Sequence, residues 1–532
     1  MNGTRALGWQ GASTPLRGAG EWARAVHDVD RPVYVVRTAD GPAVAGDGTV
    51  SADPRFPLLA AAGPVDPAGL GSAAFRDDHG LRATYMAGAM AGGIASAELV
   101  ISLARAGYLA SYGAAGQLPD QIERSVEQIQ AAVAGATFAV NLIHSPSEAA
   151  LEEQLVEVLL RRQVHLVEAS AFLELTAPLV RYRLTGARED GWGGVHLPNR
   201  VIAKVSRPEI AELFLGPPPP RLVEELLGRG AITPAEAELA PRVRMADDLT
   251  AEADSGGHTD RRPLHPLLST LIGIRDRLTG PGDRPRVGAA GGLGTPSAVA
   301  AAYAAGADYV VTGSVNQSCR ESGTSDRARE LLAGAGLTDF AMAPAADMFE
   351  LGVELQVLRK GTMFPMRAGR LGAIYQGNDG LEDLPAKDRE WLEKSVLRAP
   401  VEEVWSRCEE YFTRRDPEQL ARAQGSPKRR MALVFRWYLG LSSRWAVTGQ
   451  EDRVADYQIW SGPALGAFNA WVADTPLAQA SHRSAPVVAD LLMRGAAVAT
   501  RQAALRAQGA APVPVDPGVL LAARPDPVGA AR

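Results

Sequence analysis

Short apolar runs alternate with Ala/Leu-rich stretches through the middle of the chain. Between Leu81 and Ser318 the runs at 83–89, 108–112, 138–143, 166–169, 201–205, 249–253, 287–290 and 309–312 read as strands. Each is short and largely apolar, as strands buried on both faces are. The stretches between them carry helical patterning, so strand and helix repeat eight times. That pattern predicts an α/β fold, a (β/α)8 TIM barrel, with its chemistry at the carboxyl ends of the strands. The barrel is assigned to residues 77–346, with a helical excursion at 208–247 in which 222–227 and 233–239 form helices. Thr233 and Glu236 give the second of these a capping box. Before the barrel, residues 1–76 read as a small β-rich module. After it, 347–510 read as an all-α appendage with helices at 348–358, 391–396, 401–412, 417–423 and 431–439. The Ala/Pro-rich tail, 511–532, is expected to be disordered.

The strand ends carry the candidate chemistry. Strand seven runs into Gly291-Gly292-Leu-Gly294 and a helix, and strand eight ends at Gly313-Ser314. Glycines at two such ends let backbone N–H groups approach a phosphate, and a helix N-terminus adds partial positive charge. The same glycines could serve tight turns alone. The spacing is not that of GxGxxG. Ala87 and Gly88 end strand one, where small residues leave room for a flat ring or for close helix packing. Asn141 ends strand three, and its amide can pair with a heterocycle edge or cap a turn. Lys204 lies within an apolar strand and must find an anion or a polar opening. After strand six comes Asp254-Ser-Gly256-Gly257-His258-Thr-Asp260. The paired glycines can turn the His258 imidazole into the barrel mouth, where it would handle protons near neutral pH. Asp254 or Asp260 could orient it.

Composition narrows the classes. A net charge of −6 and a pI near 5.9 argue against a broad nucleic-acid-binding surface. Cys319 and Cys408 are the only cysteines, so no disulfide framework or four-cysteine metal site can form. The other histidines lack the spacing of a two-His-one-carboxylate site, so no metal is expected. No signal peptide and no membrane-spanning run is evident, which predicts a cytoplasmic protein. In the C-terminal region Lys428, Arg429 and Arg430, with Arg436 and Arg444, form a basic stretch among Trp437, Tyr438 and Trp445. It could meet an acidic carrier protein or a dinucleotide phosphate, or be a solvated face.

The barrel ends resemble the FMN-dependent nitronate monooxygenase and FabK-type enoyl reductase superfamily: Gly-Ala-Met after strand one, Val-Asn141, Gly-Gly-His258, Ala-Ala-Gly-Gly292 and Thr-Gly-Ser314. Five longer stretches, 252–260, 311–317, 348–353, 360–366 and 435–445, resemble the PfaD family. These are the trans-acting enoyl reductases of polyunsaturated fatty acid and polyketide synthases. The resemblance implies that Gly291, Gly292, Gly313 and Ser314 hold the FMN phosphate. Ala87, Gly88, Asn141 and Lys204 flank the isoalloxazine, Gly257 joins the cofactor contacts, and His258 is catalytic. It implies NADPH as cosubstrate and acyl carrier protein domains of a synthase as partners. A homodimer is compatible with it. Asp254 departs from the wider superfamily, which often has Glu there. The other readings are a nitronate monooxygenase and a catalytically silent docking component of a synthase.

Overall fold

The alternation of apolar runs resolves into a closed parallel barrel. The computed structural model describes residues 7–144, 149–257, 259–280, 284–346, 348–415 and 417–523. Its strands in chain order are β1 (Gly8–Gln10), β2 (Val33–Thr38), β3 (Gly41–Ala45), β4 (Thr49–Ser51), β5 (Phe56–Ala62), β6 (Tyr85–Ala87), β7 (Leu109–Tyr112), β8 (Ala139–Ile143), β9 (Leu166–Ser170), β10 (Arg188–Glu189), β11 (Val195–His196), β12 (Arg200–Val205), β13 (Asp248–Glu252), β14 (Arg286–Ala290), β15 (Val310–Thr312), β16 (Phe340–Pro344) and β17 (Glu354–Leu358). The barrel closes in the order β12-β13-β14-β15-β6-β7-β8-β9. Each of the eight strands falls where the apolar runs predicted one.

The chain folds as two units. The first holds Met1–Ala253, Asp260–Ser322 and Ala470–Arg532. Its N-terminal sheet is antiparallel, ordered β3-β2-β5-β1-β4, over a small core of Trp9, Val36, Ala43 and Ala45. The helix Ala73–His79, capped by Ser72, then packs into the lower end of the barrel. Phe75 stacks on Tyr309 at 4.1 Å, and His79 Nε2 lies 3.0 Å from Asp248, which also takes Arg286. Met86, Leu109, Ala139, Leu166, Ile202, Ala290 and Val311 fill the interior around them. This is the layered side-chain core of a TIM barrel.

Residues 470–523 also belong to the first unit. The helix Ala485–Ala507 packs against Pro296–Ala304, and Gly495 is needed there because a Cβ would lie 2.8 Å from the Cβ of Pro296. The segment from Ala511, expected to lack structure, instead carries the helix Pro517–Ala522. Trp471 Nε1 donates to the Val515 carbonyl at 2.8 Å and the Asp516 N–H to His27 Nε2 at 2.9 Å. A tryptophan and a histidine far away in sequence thus hold an Ala/Pro-rich strip in place. Residues 524–532 of the expected disordered tail lie outside the described residues.

The second unit holds Asp254–Thr259 and Gly323–Asn469. It is not all helical. The stretch 348–358, expected as one helix, is a helical turn at Phe349–Leu351 followed by β17, which pairs antiparallel with β16. Gly352, left-handed at φ 69°, ends the turn. The remaining helices include Phe364–Gly377, Val401–Arg415, Pro417–Ala423 and Pro427–Thr448. Their apolar faces enclose Phe349, Phe364, Leu371, Phe435, Tyr438 and Leu439. Among the described residues no helix is long and apolar enough to cross a membrane.

Candidate functional site

Side chains alternate across a strand, so barrel register decides which of the predicted residues face inward. In the upper half of the barrel that set is Gly88, Ser111, Asn141, Glu168, Lys204 and Glu252, by the pairings Met86↔Leu109, Ser111↔Ala139, Asn141↔Glu168, Glu168↔Ile202 and Glu252↔Ala290. Above an apolar core the interior therefore becomes polar. Ala87 pairs with Thr312 and sits at the opposite parity, so its methyl is directed away from the interior. Gly88 is needed because a Cβ would come within 2.8 Å of Val311 Cγ1.

Lys204 finds the anion its burial demands, and it finds two. Its Nζ lies 2.8 Å from Glu252 Oε1 and 3.7 Å from Glu168 Oε1. Burial alone would push its pKa down, but the two carboxylates outweigh that and hold it above the ordinary lysine value. Glu168 is fully buried. Its Oε2 accepts the Ala89 N–H at 2.8 Å, while Oε1 has no hydrogen-bond partner. Asn141 donates to the Glu168 carbonyl at 3.0 Å and to Ser170 Oγ at 2.8 Å. Both its N–H groups are engaged, so it offers a ligand only its carbonyl oxygen. The buried Ser111 Oγ is likewise without a partner.

Beside this layer stand the glycine ends of β14 and β15, which pair through Ala290↔Val311. Gly291 and Gly292 are left-handed, at φ 94° and 75°. A Cβ on Gly291 would lie 2.8 Å from the Ala253 carbonyl oxygen. At Gly292 and Gly313 a Cβ would meet nothing within 4 Å. The two loops thus leave open space where side chains would project. Thr295 caps the helix Pro296–Ala304, accepting from the Ala298 N–H at 3.4 Å. Ser314 opens a short helical turn, Ser314–Gln317. Its shape is held by buried Asn316, which donates to Thr312 Oγ1 at 2.9 Å and accepts from the Tyr85 hydroxyl at 3.0 Å. Free backbone space at two adjacent strand ends, over a helix N-terminus, fits a phosphate. The polar layer, with a carboxylate oxygen and a hydroxyl that lack hydrogen-bond partners, fits a heteroaromatic ring with polar edges.

His258, predicted as the proton-handling residue, lies outside the described residues. Its two candidate orienters have separate partners. Asp260 takes Arg207 Nε at 2.7 Å and Nη2 at 2.8 Å, and Ser206 Oγ at 2.8 Å, and the Arg207 bonds hold its carboxyl below the usual range. Asp254, in the second unit, accepts from Gln356 Nε2 at 2.8 Å and keeps a buried Oδ1 without a partner. Gly256 is sterically required, since a Cβ would lie 2.9 Å from the Ser461 backbone, whereas Gly257 has room for one.

Glu168 and Glu252 were not among the predicted site residues. A signal for them existed: a lysine inside a strand needs counter-charge, and barrel order sets β9 and β13 on either side of β12. Each neighbouring strand carries one inward glutamate near its end. Cations of the basic stretch have partners within their own unit. Lys428 Nζ donates to the carbonyls of Tyr375 and, at 2.6 Å, Asn378. Arg429 donates to Gln419 at 2.8 Å, and Arg430 pairs with Glu382 at 3.0 Å while lying over Trp405. Arg436 pairs with Glu350 at 3.3 Å. These cations bind their own unit together. Among the described residues no group of acidic, histidine or cysteine side chains could hold a metal ion.

The strand ends and the barrel define a class, and comparison with known proteins supplies it. The nitronate monooxygenase family model matches residues 82–361, and this chain belongs to that family. A second model, the inserted helical domain of [acyl-carrier-protein] S-malonyltransferase, matches residues 378–457. The chain is 46% identical over 447 residues to a component of the polyunsaturated fatty acid synthase of Thraustochytrium sp., covering 82% of this chain and 30% of that protein. It is 43% identical over 433 residues to polyketide biosynthesis protein PksE of Bacillus subtilis, covering 81% of this chain and 56% of that one. It therefore spans between about a third and just over half of these relatives' length. The solved enoyl reductase domain of MlnA, from the macrolactin biosynthesis cluster of Bacillus amyloliquefaciens, matches with a TM-score of 0.77 and 36% identity over 83% of this chain and 98% of that domain. The chain is a homologue of that enoyl reductase domain, as its motifs predicted.

Proposed function

We propose that this chain is an FMN-dependent enoyl reductase acting in trans on α,β-unsaturated acyl thioesters carried by a polyketide or polyunsaturated fatty acid synthase. The observation that carries the reading is the pair of glycine ends at β14 and β15, open at Gly292 and Gly313, beside the polar layer of Asn141, Glu168, Lys204 and Glu252. The 36% identity to a solved enoyl reductase domain supports it, and members of the family are typically flavin-dependent. Gly291, Gly292, Gly313 and Ser314 hold the phosphate through backbone N–H groups. The backbone at Gly88 borders the ring, and Asn141 and Lys204 meet its polar edge. The chemistry a bound FMN supplies is two-electron transfer from NADPH to the β-carbon of the enoyl thioester. His258 gives a proton to the enolate. The acyl chain arrives on an acyl carrier protein domain, in the cytoplasm.

Purified protein mixed with NADPH and an enoyl thioester should form the saturated thioester, and protein without FMN should not. Saturated product from flavin-free protein, or none from flavin-loaded protein, would sink the reading. The family match also supports a second reading, a nitronate monooxygenase that consumes oxygen.

A further inference from the structure

The polar layer of the barrel holds more negative than positive charge. Among the described residues Lys204 is the single cation of the cluster, and Glu168 and Glu252 are both within ion-pair range of it. The side chains of all three are at most 14% exposed. Among the described residues, neighbouring charges do not redress the difference. Arg207 is matched by Asp260, and at the lower end of the barrel Arg286 is shared between Asp248 and Asp78. Glu168 Oε2 accepts the Ala89 N–H, and Oε1 has no hydrogen-bond partner. Glu168 Oε1 faces the Lys204 ammonium 3.7 Å away. Two carboxylates against one ammonium leave one negative charge in excess, in a region screened little by water.

We propose that this excess carboxylate charge sets the redox poise of the site: it opposes the negative charge that a bound flavin ring gains on reduction, and so makes the reduced cofactor a stronger donor. The inference rests on the flavin reading above. Glu168 and Glu252 act here as positioning and electrostatic residues. Glu168 also anchors the turn after β6 through the Ala89 N–H, and both carboxylates fix where the Lys204 ammonium sits.

The test compares the affinity of oxidised and reduced FMN for wild-type protein, Glu168→Gln, Glu252→Gln and the double variant. Glutamine keeps the size of the side chain; at position 168 its oxygen can still accept the Ala89 N–H, while its NH2 takes the place of Oε1 beside Lys204. Each single substitution should shift the ratio of reduced to oxidised affinity roughly tenfold toward the reduced form, as expected for one charge at low dielectric. For a two-electron couple that is a rise of about 30 mV in midpoint potential. The double variant should shift further in the same direction. A purely structural cluster would weaken both affinities together and leave the ratio unchanged, which overturns the inference while flavin binding stands. A shift toward the oxidised form overturns it as well. If Glu168→Gln does not fold, Glu252→Gln still carries the predicted sign. Wild-type protein that takes up no FMN overturns the flavin reading, and this inference with it.

Discussion

Gly313 offers the cleanest single-residue test of the phosphate cradle. Its φ of −124° is open to any residue, and a Cβ there meets nothing within 4 Å. Gly313→Ala should fold and place a methyl in the space left for the phosphate. FMN affinity, measured by quenching of flavin fluorescence, should fall at least tenfold. Unchanged affinity would return the glycines to turn-making. For His258 the expectation concerns protons. His258→Ala should retain FMN and lose enoyl reduction by roughly 10²–10⁴-fold, the usual scale of general acid–base help. The glycine ends of β14 and β15 stand out in the sequence as glycines directly after apolar runs, and the structure places them at adjacent strand ends. Glu168 and Glu252 do not stand out in this way, because a carboxylate in an Ala-rich strand end looks the same whether it faces solvent or an ammonium. Only barrel register assigns each of them to Lys204.

Elements were legible where periodicity was strong and illegible where remote partners decided. The barrel strands, apolar and flanked by turn residues, fell where predicted. The stretch 348–358 did not, because Gly352 ends a single turn and β16 offers a ladder that helical propensity cannot reveal. The basic stretch of Pro427–Thr448 was visible, but its partners Tyr375, Asn378, Gln419 and Glu382 were not. Reversing Lys428 should therefore lower the melting temperature and reduce turnover equally on carrier-bound and free thioesters. A selective loss with carrier-bound substrate would restore the docking role. The same unit is tied by fully buried Asp456, which takes Arg367, Arg453 at 3.2 Å, Arg398 at 3.4 Å and the Tyr438 hydroxyl at 2.8 Å. Asp456→Ala would leave several cations facing one another and should cost about 3–5 kcal/mol in denaturant unfolding of that unit. A loss under about 1 kcal/mol would mean that water compensates them.

For the whole molecule, the sequence suggested a barrel between two appendages, whereas the chain returns after residue 469 to complete the unit that it began with. Apolar patterning along a chain does not say which distant face a helix covers, and Ala485–Ala507 was invisible as a barrel element for that reason. Its match to an enoyl reductase domain, set against a family model for nitronate monooxygenases, leaves two chemistries to separate. The central claim is that electrons from NADPH reach an enoyl thioester and not oxygen. NADPH absorbance and dissolved oxygen should be followed together on one sample of flavin-loaded protein, with a short enoyl thioester and then with a nitronate. The account predicts NADPH loss that begins on adding the enoyl thioester, matched by saturated product and with little oxygen uptake. Oxygen consumption driven by the nitronate without NADPH, and no saturated thioester, would contradict it.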